Sequence, residues 1–269
     1  MTDQEDGNDQ NHECGRHRHR RRPHRQRPGA RLGGPALATR AAFAPLAELL
    51  APHFTVYAYD RRGRGDSGDT PPYAADREVE DLVAVIGAAG GSAYVFGHSS
   101  GAVLALDAAA RHVGVTKLAV YEPPFIVDGE PMPADFADQL AALVVADRPG
   151  DALALWMRST VGMSEEAIAQ ARTEPWWPAV EAVAHTTPYD AAITVPYMTG
   201  RPLPTQQWSK VTMPTLVLDG EVSPPFMREG TKALAGILPN ATSTTFPGQG
   251  HGAPPEMIAP ILTAFFLAN

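Results

Sequence analysis

Tyr94-Val95-Phe96-Gly97-His98-Ser99-Ser100-Gly101-Ala102-Val103 runs from an apolar stretch through a glycine, a serine and a second glycine into an alanine-rich segment. The pattern G-x-S-x-G between a strand and a helix has a steric reason. A serine on a sharp strand-to-helix turn sits in strained backbone, and the positions two before and two after it must lack side chains that would collide. Gly97 and Gly101 meet that need. The bare pattern is weak evidence; an apolar run before it and a helical run after it make Ser99 a candidate nucleophile.

Working outward, the same alternation of strand and helix continues on both sides. Upstream, Phe43, Leu46, Leu49 and Leu50 recur at helical spacing, and His53 to Tyr59 reads as a buried strand. Asp60 to Gly68 is a glycine-rich turn, and Glu78 to Ala89 is a helix ended by Gly90-Gly91. Downstream, Ser100 to His112 reads as a helix and Thr116 to Tyr121 as a strand ending in Glu122-Pro123-Pro124. After a long interruption come a strand over 213–219, a helix to about Ile237, a strand over 241–246 and a closing helix over 254–267. Strands separated by helices at this spacing predict a parallel sheet with functional groups at the carboxyl ends of its strands.

The interruption, residues 125–208, holds helical patterns at about 133–147, 150–161, 164–172 and 175–186 with no strand between them. That suits a helical cap inserted above the sheet. Trp156, Met157, Met163, Trp176, Trp177, Tyr189, Tyr197, Met198 and Trp208 concentrate aromatic and thioether surface there, and of these Trp156, Trp176, Trp177 and Tyr197 are the candidate walls of a substrate pocket. Arg61, Arg62 and Arg64 in the upstream turn invite a phosphate-binding reading, but such turns more often carry solvated charges, and solvation is the expectation here.

Composition bounds the rest. A chain of 269 residues with 44% hydrophobic content fits one α/β body with an insertion. The single cysteine, Cys14, allows no intrachain disulfide and points to a reducing, cytoplasmic compartment. No run approaches the roughly eighteen apolar residues of a membrane span. Residues 16–31 carry eight arginines, whereas residues 32–269 hold 14 basic and 25 acidic residues. The expectation is that 1–31 form a disordered basic tail with no nucleic-acid partner, because no aromatic residue interleaves the arginines. No Val/Ile-rich run precedes Ala36. The sheet is therefore expected to lack its N-terminal strands, as if the coding frame upstream had shifted.

Three features together resemble the α/β-hydrolase superfamily, in particular its small capped bacterial esterase-like members: the elbow Gly97-His98-Ser99-Ser100-Gly101, the turn Arg62-Gly63-Arg64-Gly65-Asp66-Ser67, and the loop Gly250-His251-Gly252. The resemblance runs from about Leu37 to the end, with a core over 32–124 and 209–269. It implies that Ser99 attacks a carbonyl, that His251 takes and returns the proton, and that a carboxylate holds the imidazole. His98 flanks the serine and would point elsewhere in a formed elbow, which also leaves His251 as the base. The position where the family usually carries an aspartate is Ser223, so Glu122, Asp219 and Glu221 compete for the acid. Glu122 is favoured, with a longer side chain to reach the histidine and Pro123-Pro124 to stiffen it. For the oxyanion hole, the N–H of Ser100 is one donor and the turn from Gly33 to Leu37 supplies the other, with Ala36 the candidate because Pro35 has no N–H.

These readings predict a serine hydrolase of a small or medium ester, thioester or lactone that needs no metal and no cofactor. No His/Cys/Asp/Glu group has metal-ligand spacing and no phosphate loop is present. A ligand-binding protein of the same fold with negligible turnover stands as the alternative, and carbon–carbon cleavage or transfer to a non-water acceptor as a second. Dehalogenation is disfavoured, since it needs a carboxylate at position 99.

Overall fold

Six strands form one parallel sheet: β1 (Gly29–Gly33), β2 (Thr55–Ala58), β3 (Ala93–His98), β4 (Val115–Tyr121), β5 (Thr215–Gly220) and β6 (Ala241–Phe246). Their spatial order is β2-β1-β3-β4-β5-β6. The computed structural model describes residues 28–88, 90–111 and 114–268. The chain passes from β1 outward to β2 and returns on the other side of β1 as β3, so the winding reverses between β1 and β3. In open α/β sheets a reversal opens a crevice at the strands' carboxyl ends. Here Gly33 at the end of β1 pairs with Gly97, two residues before Ser99.

Helices cover both faces, and the period-two alternation of the strands divides the core between them. Val79, Leu82 and Ile86 on α2 (Ala75–Ala88) and Val103 and Leu106 on α3 (Ser100–Ala110) pack with Val95, Leu118 and Val120. On the other face, Leu46 and Leu50 on α1 (Ala44–Leu50) and Leu262 and Phe266 on the C-terminal helix (Pro255–Leu267) pack with Leu32, Phe96 and Leu218. Tyr94 stacks on Phe266 at 5.0 Å, with Phe54 edge-on to both. Each such aromatic pair adds about 0.5–1.5 kcal/mol beyond its burial.

The expectation that the sheet lacks strands before residue 36 is corrected by β1. It is short and contains two glycines and an arginine, so its local sequence carries little β signal. Hydrogen-bonded neighbours on both edges, β2 and β3, hold it, while Ala30 and Leu32 bury one face. The boundary drawn at residue 31 therefore moves towards the N-terminus, because Gly29, Ala30 and Arg31 belong to the sheet. Residues 1–27 of the expected tail, Cys14 included, lie outside the described residues.

Between β4 and β5 the described chain adds no strand to the sheet. It forms α4 (Phe136–Val145), α5 (Pro149–Trp156), a π-turn (Met157–Val161), α6 (Glu165–Ala171), α7 (Trp177–Glu181) and α8 (Thr187–Thr194). A parallel bridge between Ile126 and Met198 closes this segment at its base. Its interior is its own apolar cluster, with Phe136, Leu140, Trp156 and Ala191 at the centre. The remaining helix, α9 (Pro225–Ile237), follows β5, so the C-terminal helix is α10. Among the described residues no helix is long and apolar enough to cross a membrane.

Candidate active site

Ser99 sits between β3 and α3 with φ 55° and ψ −124°, outside the regions an L-residue ordinarily occupies. The two flanking glycines permit it. A Cβ on Gly97 would lie 2.4 Å from the Gly101 carbonyl oxygen, and one on Gly101 would lie 2.4 Å from that of Gly34. Backbone strain concentrates here: Leu37, Ser99 and Glu122 all have positive φ. Such strain persists only where the surrounding structure over-determines it.

Glu122 follows β4 and has no exposed surface. Its Oε2 lies 2.7 Å from His251 Nδ1, and its Oε1 accepts the Gly220 N–H at 2.7 Å. Both competing carboxylates are engaged elsewhere. Asp219 accepts from the Thr245 hydroxyl at 2.6 Å, and Glu221 accepts the Gly248 N–H at 2.8 Å. Ser223, where the family usually carries an aspartate, is buried with no partner for its hydroxyl among the described residues.

The loop that carries His251 is held from below by two aromatic side chains. His98 Nε2 lies 2.7 Å from the His251 carbonyl, which can only accept, so that nitrogen carries the proton. Tyr121 donates to the Gly250 carbonyl at 2.6 Å. Burial, with the neighbouring His251 adding to it against the hydrogen bond, pushes the His98 pKa down to about 3, so its ring is neutral at ordinary pH. The sequence reading had His98 pointing away from the reaction; the structure gives it this supporting contact.

Ser99 and His251 open onto one cavity of about 310 Å3. Pro35, Ala36 and Leu37 of the turn after β1 form one wall, with Pro124 and Met227 beside them. Trp156, Met157, Thr160, Val161, Val180, Thr194 and Met198 of the helical segment form the other. Of the serine and histidine side chains lining it, only Ser99 and His251 can present a hydrogen-bond donor to a ligand, since the His98 N–H is spent on the His251 carbonyl. The Thr160 and Thr194 hydroxyls already donate to the Trp156 and Asp190 carbonyls, at 2.8 and 2.9 Å. A larger depression, of about 420 Å3, lies between α9 and the β5–β6 edge and contains neither Ser99 nor His251.

Of the four aromatic residues expected to line the pocket, Trp156 does so and three do not. Trp176 is 44% exposed. Trp177 is buried among Leu153, Ile168 and Ala171 and donates from its indole to Glu181 at 2.9 Å. Tyr197 packs its ring on Phe125 and Trp208. Aromatic content marked the segment but not the direction in which each ring points. Met157 and Met198, of the thioether surface expected in the same segment, do line the pocket, and Met227 on α9 is the methionine that the sequence reading passed over.

The glycine-rich turn also departs from expectation. Arg61 and Arg64 are buried rather than solvated, and each is fully paired. Arg61 forms a bidentate pair with Glu78 at 2.7 and 2.9 Å and reaches Asp190 at 2.8 Å; Arg64 reaches Asp190 at 2.5 Å. Burial works against the Arg61 charge, but Glu78 and Asp190 outweigh it and hold its pKa well above the ordinary value. Burial would likewise raise the Asp190 pKa, yet Arg64 and Arg61 hold it below the usual carboxylate range. Charges so matched leave none free for a phosphate.

Comparison with known proteins places residues 28–259 on the model of the alpha/beta hydrolase family. The chain is 28% identical over 230 residues to a pimeloyl-[acyl-carrier protein] methyl ester esterase from Xanthomonas campestris pv. campestris (strain B100), covering 78% of this chain and 82% of that protein. A crystal structure of an alpha/beta hydrolase from Sphaerobacter thermophilus DSM 20745 is 51% identical, with a TM-score of 0.83 over 90% of this chain and 93% of that one. An esterase from Exiguobacterium antarcticum shares the fold at 19% identity, with a TM-score of 0.70 over 90% and 93% of the two chains.

Proposed function

Since the chain belongs to the alpha/beta hydrolase family, we propose that it is a serine hydrolase cleaving small or medium neutral esters, thioesters or lactones through an acyl-enzyme. The observation that carries this reading is the Glu122–His251 hydrogen bond at the edge of the cavity onto which the strained Ser99 opens. His251 takes the Ser99 proton as Oγ attacks the carbonyl carbon, and Glu122 stabilises the imidazolium that forms. The oxyanion meets the amides of Ser100 and Ala36, neither of which donates to a backbone acceptor among the described residues. The tetrahedral intermediate collapses, His251 returns the proton to the leaving alcohol, and water repeats the sequence on the acyl-enzyme. The helical segment 125–208 acts as a cap that supplies the apolar wall.

Substrate chemistry follows from that wall. It carries no charged side chain, and its threonine hydroxyls have spent their donors, so a carboxylate on the substrate would be buried unpaired. The cavity of about 310 Å3 has the volume of roughly ten water molecules at about 30 Å3 each, which suits a small or medium substrate. The named activity of the Xanthomonas relative supports ester cleavage without fixing this chain's substrate. Against the alternative of a binding protein with negligible turnover, β1 brings the turn that carries Ala36 to the cavity onto which Ser99 opens. A panel of p-nitrophenyl esters tests the reading. Neutral acyl chains of short to medium length should turn over, and a succinate hemiester should be at least about tenfold poorer in kcat/KM. Hydrolysis of none of them would contradict it.

A further inference from the structure

Arg61 and Arg64 leave the same turn and close on the two oxygens of one carboxylate, Asp190 on α8, with all three side chains buried. Each arginine has a second contact on the site. Arg61 Nη1 donates to Ser100 Oγ at 2.9 Å, and that hydroxyl donates in turn to Asp190 Oδ1 at 2.8 Å. Arg64 Nη1 donates to the Pro35 carbonyl at 2.9 Å. A carbonyl and the following N–H belong to one planar unit and point in opposite directions, so a hand on the Pro35 oxygen also sets the Ala36 N–H. We infer that Asp190 is a positioning residue that couples the helical segment to both amide donors of the oxyanion site.

This inference rests on the serine-hydrolase reading and deepens it. Buried ion pairs are a poor way to gain stability, since apolar residues of similar volume often serve as well or better. What the network supplies instead is fixed geometry on two walls at once: the residue after the nucleophile on one side and the turn after β1 on the other. Thr186, just before α8, adds a further tie by accepting from Arg64 Nε at 3.0 Å. Donors for an oxyanion work only if they are already aimed, and a displacement of about 1 Å near reacting atoms costs on the order of a hundredfold in rate. The helical segment is thereby more than a pocket wall, because the carboxylate that aims the donors is its own.

The test is made on the full chain with a p-nitrophenyl ester that wild type hydrolyses, after fluorophosphonate has been seen to phosphonylate Ser99 with loss of fluoride. Asp190→Asn and Ser100→Ala should each lower kcat by about ten- to hundredfold while KM changes by less than about threefold. Affinity for a trifluoromethyl ketone, whose adduct puts an oxyanion on the same donors, should weaken by the same factor. Should Asp190→Asn fail to fold, Ser100→Ala decides, since it keeps every ion pair. Kcat within about twofold of wild type in a folded variant, or a loss confined to KM, overturns the inference alone. Absence of Ser99 phosphonylation in wild type overturns the hydrolase reading and the inference with it.

Discussion

His251 Nδ1 lies 2.7 Å from Glu122 Oε2, on a carboxylate with no exposed surface whose other oxygen is fixed by the Gly220 amide. Of the three carboxylates that the sequence left in competition, Glu122 is the one in contact with His251.

Glu122→Gln should keep the fold, since the amide retains an oxygen for Gly220, and should lower kcat by on the order of a thousandfold or more through a misoriented imidazole. Steady-state kinetics beside Asp219→Asn and Glu221→Gln check this. Near wild-type turnover in Glu122→Gln, with a large loss in either of the others, would move the acid to β5.

His98 makes stability depend on acid. Its folded pKa of about 3 lies below the unfolded value of about 6.5, so between those pH values the unfolded chain binds a proton that the folded chain does not. Stability is therefore present above about 6.5 and is lost as pH falls towards 3, at up to about 1.4 kcal/mol per pH unit from this group. Urea midpoints from pH 7 to pH 4 should fall less steeply in His98→Gln than in wild type. Parallel slopes would contradict the account.

Arg31 is a buried cation with little to hold it. It is fully buried on β1, its guanidinium lies 3.7 Å over the Tyr57 ring, and its Nε and Nη2 have no hydrogen-bond partner among the described residues. Burial pulls its pKa down, against the pull of Tyr57. Arg31→Met keeps the length and removes the unpaired donors, and should raise stability by about 1–3 kcal/mol. A lower urea midpoint in the variant would show that the guanidinium contributes more than its contacts indicate.

What was legible in the sequence was what local pattern encodes. The elbow showed because steric need forces glycine at 97 and 101; β3, β4 and β5 showed because each is an apolar run bounded by turn residues, and β6 because three β-branched threonines lie between Asn240 and Pro247. β1 was not legible: Gly29-Ala30-Arg31-Leu32-Gly33 takes its strand character from two neighbouring strands. The burial of Arg61 and Arg64 was hidden for a related reason. Their partner Asp190 lies 129 and 126 residues away, and no spacing rule reaches that far. Glu122 was legible as a candidate from its place at the end of a strand, but its reach to His251 needed coordinates. Trp176, Trp177 and Tyr197 show the limit from the other side, since helix rotation rather than residue type decides which rings face a cavity.

The central claim is that Ser99 is the nucleophile, and covalent labelling tests it most directly. A fluorophosphonate probe followed by peptide mass spectrometry should modify Ser99 alone, with labelling abolished in Ser99→Ala and slowed in His251→Ala. Labelling that persists in folded Ser99→Ala, or a wild-type chain that turns over esters while Ser99 stays unmodified, would contradict the account.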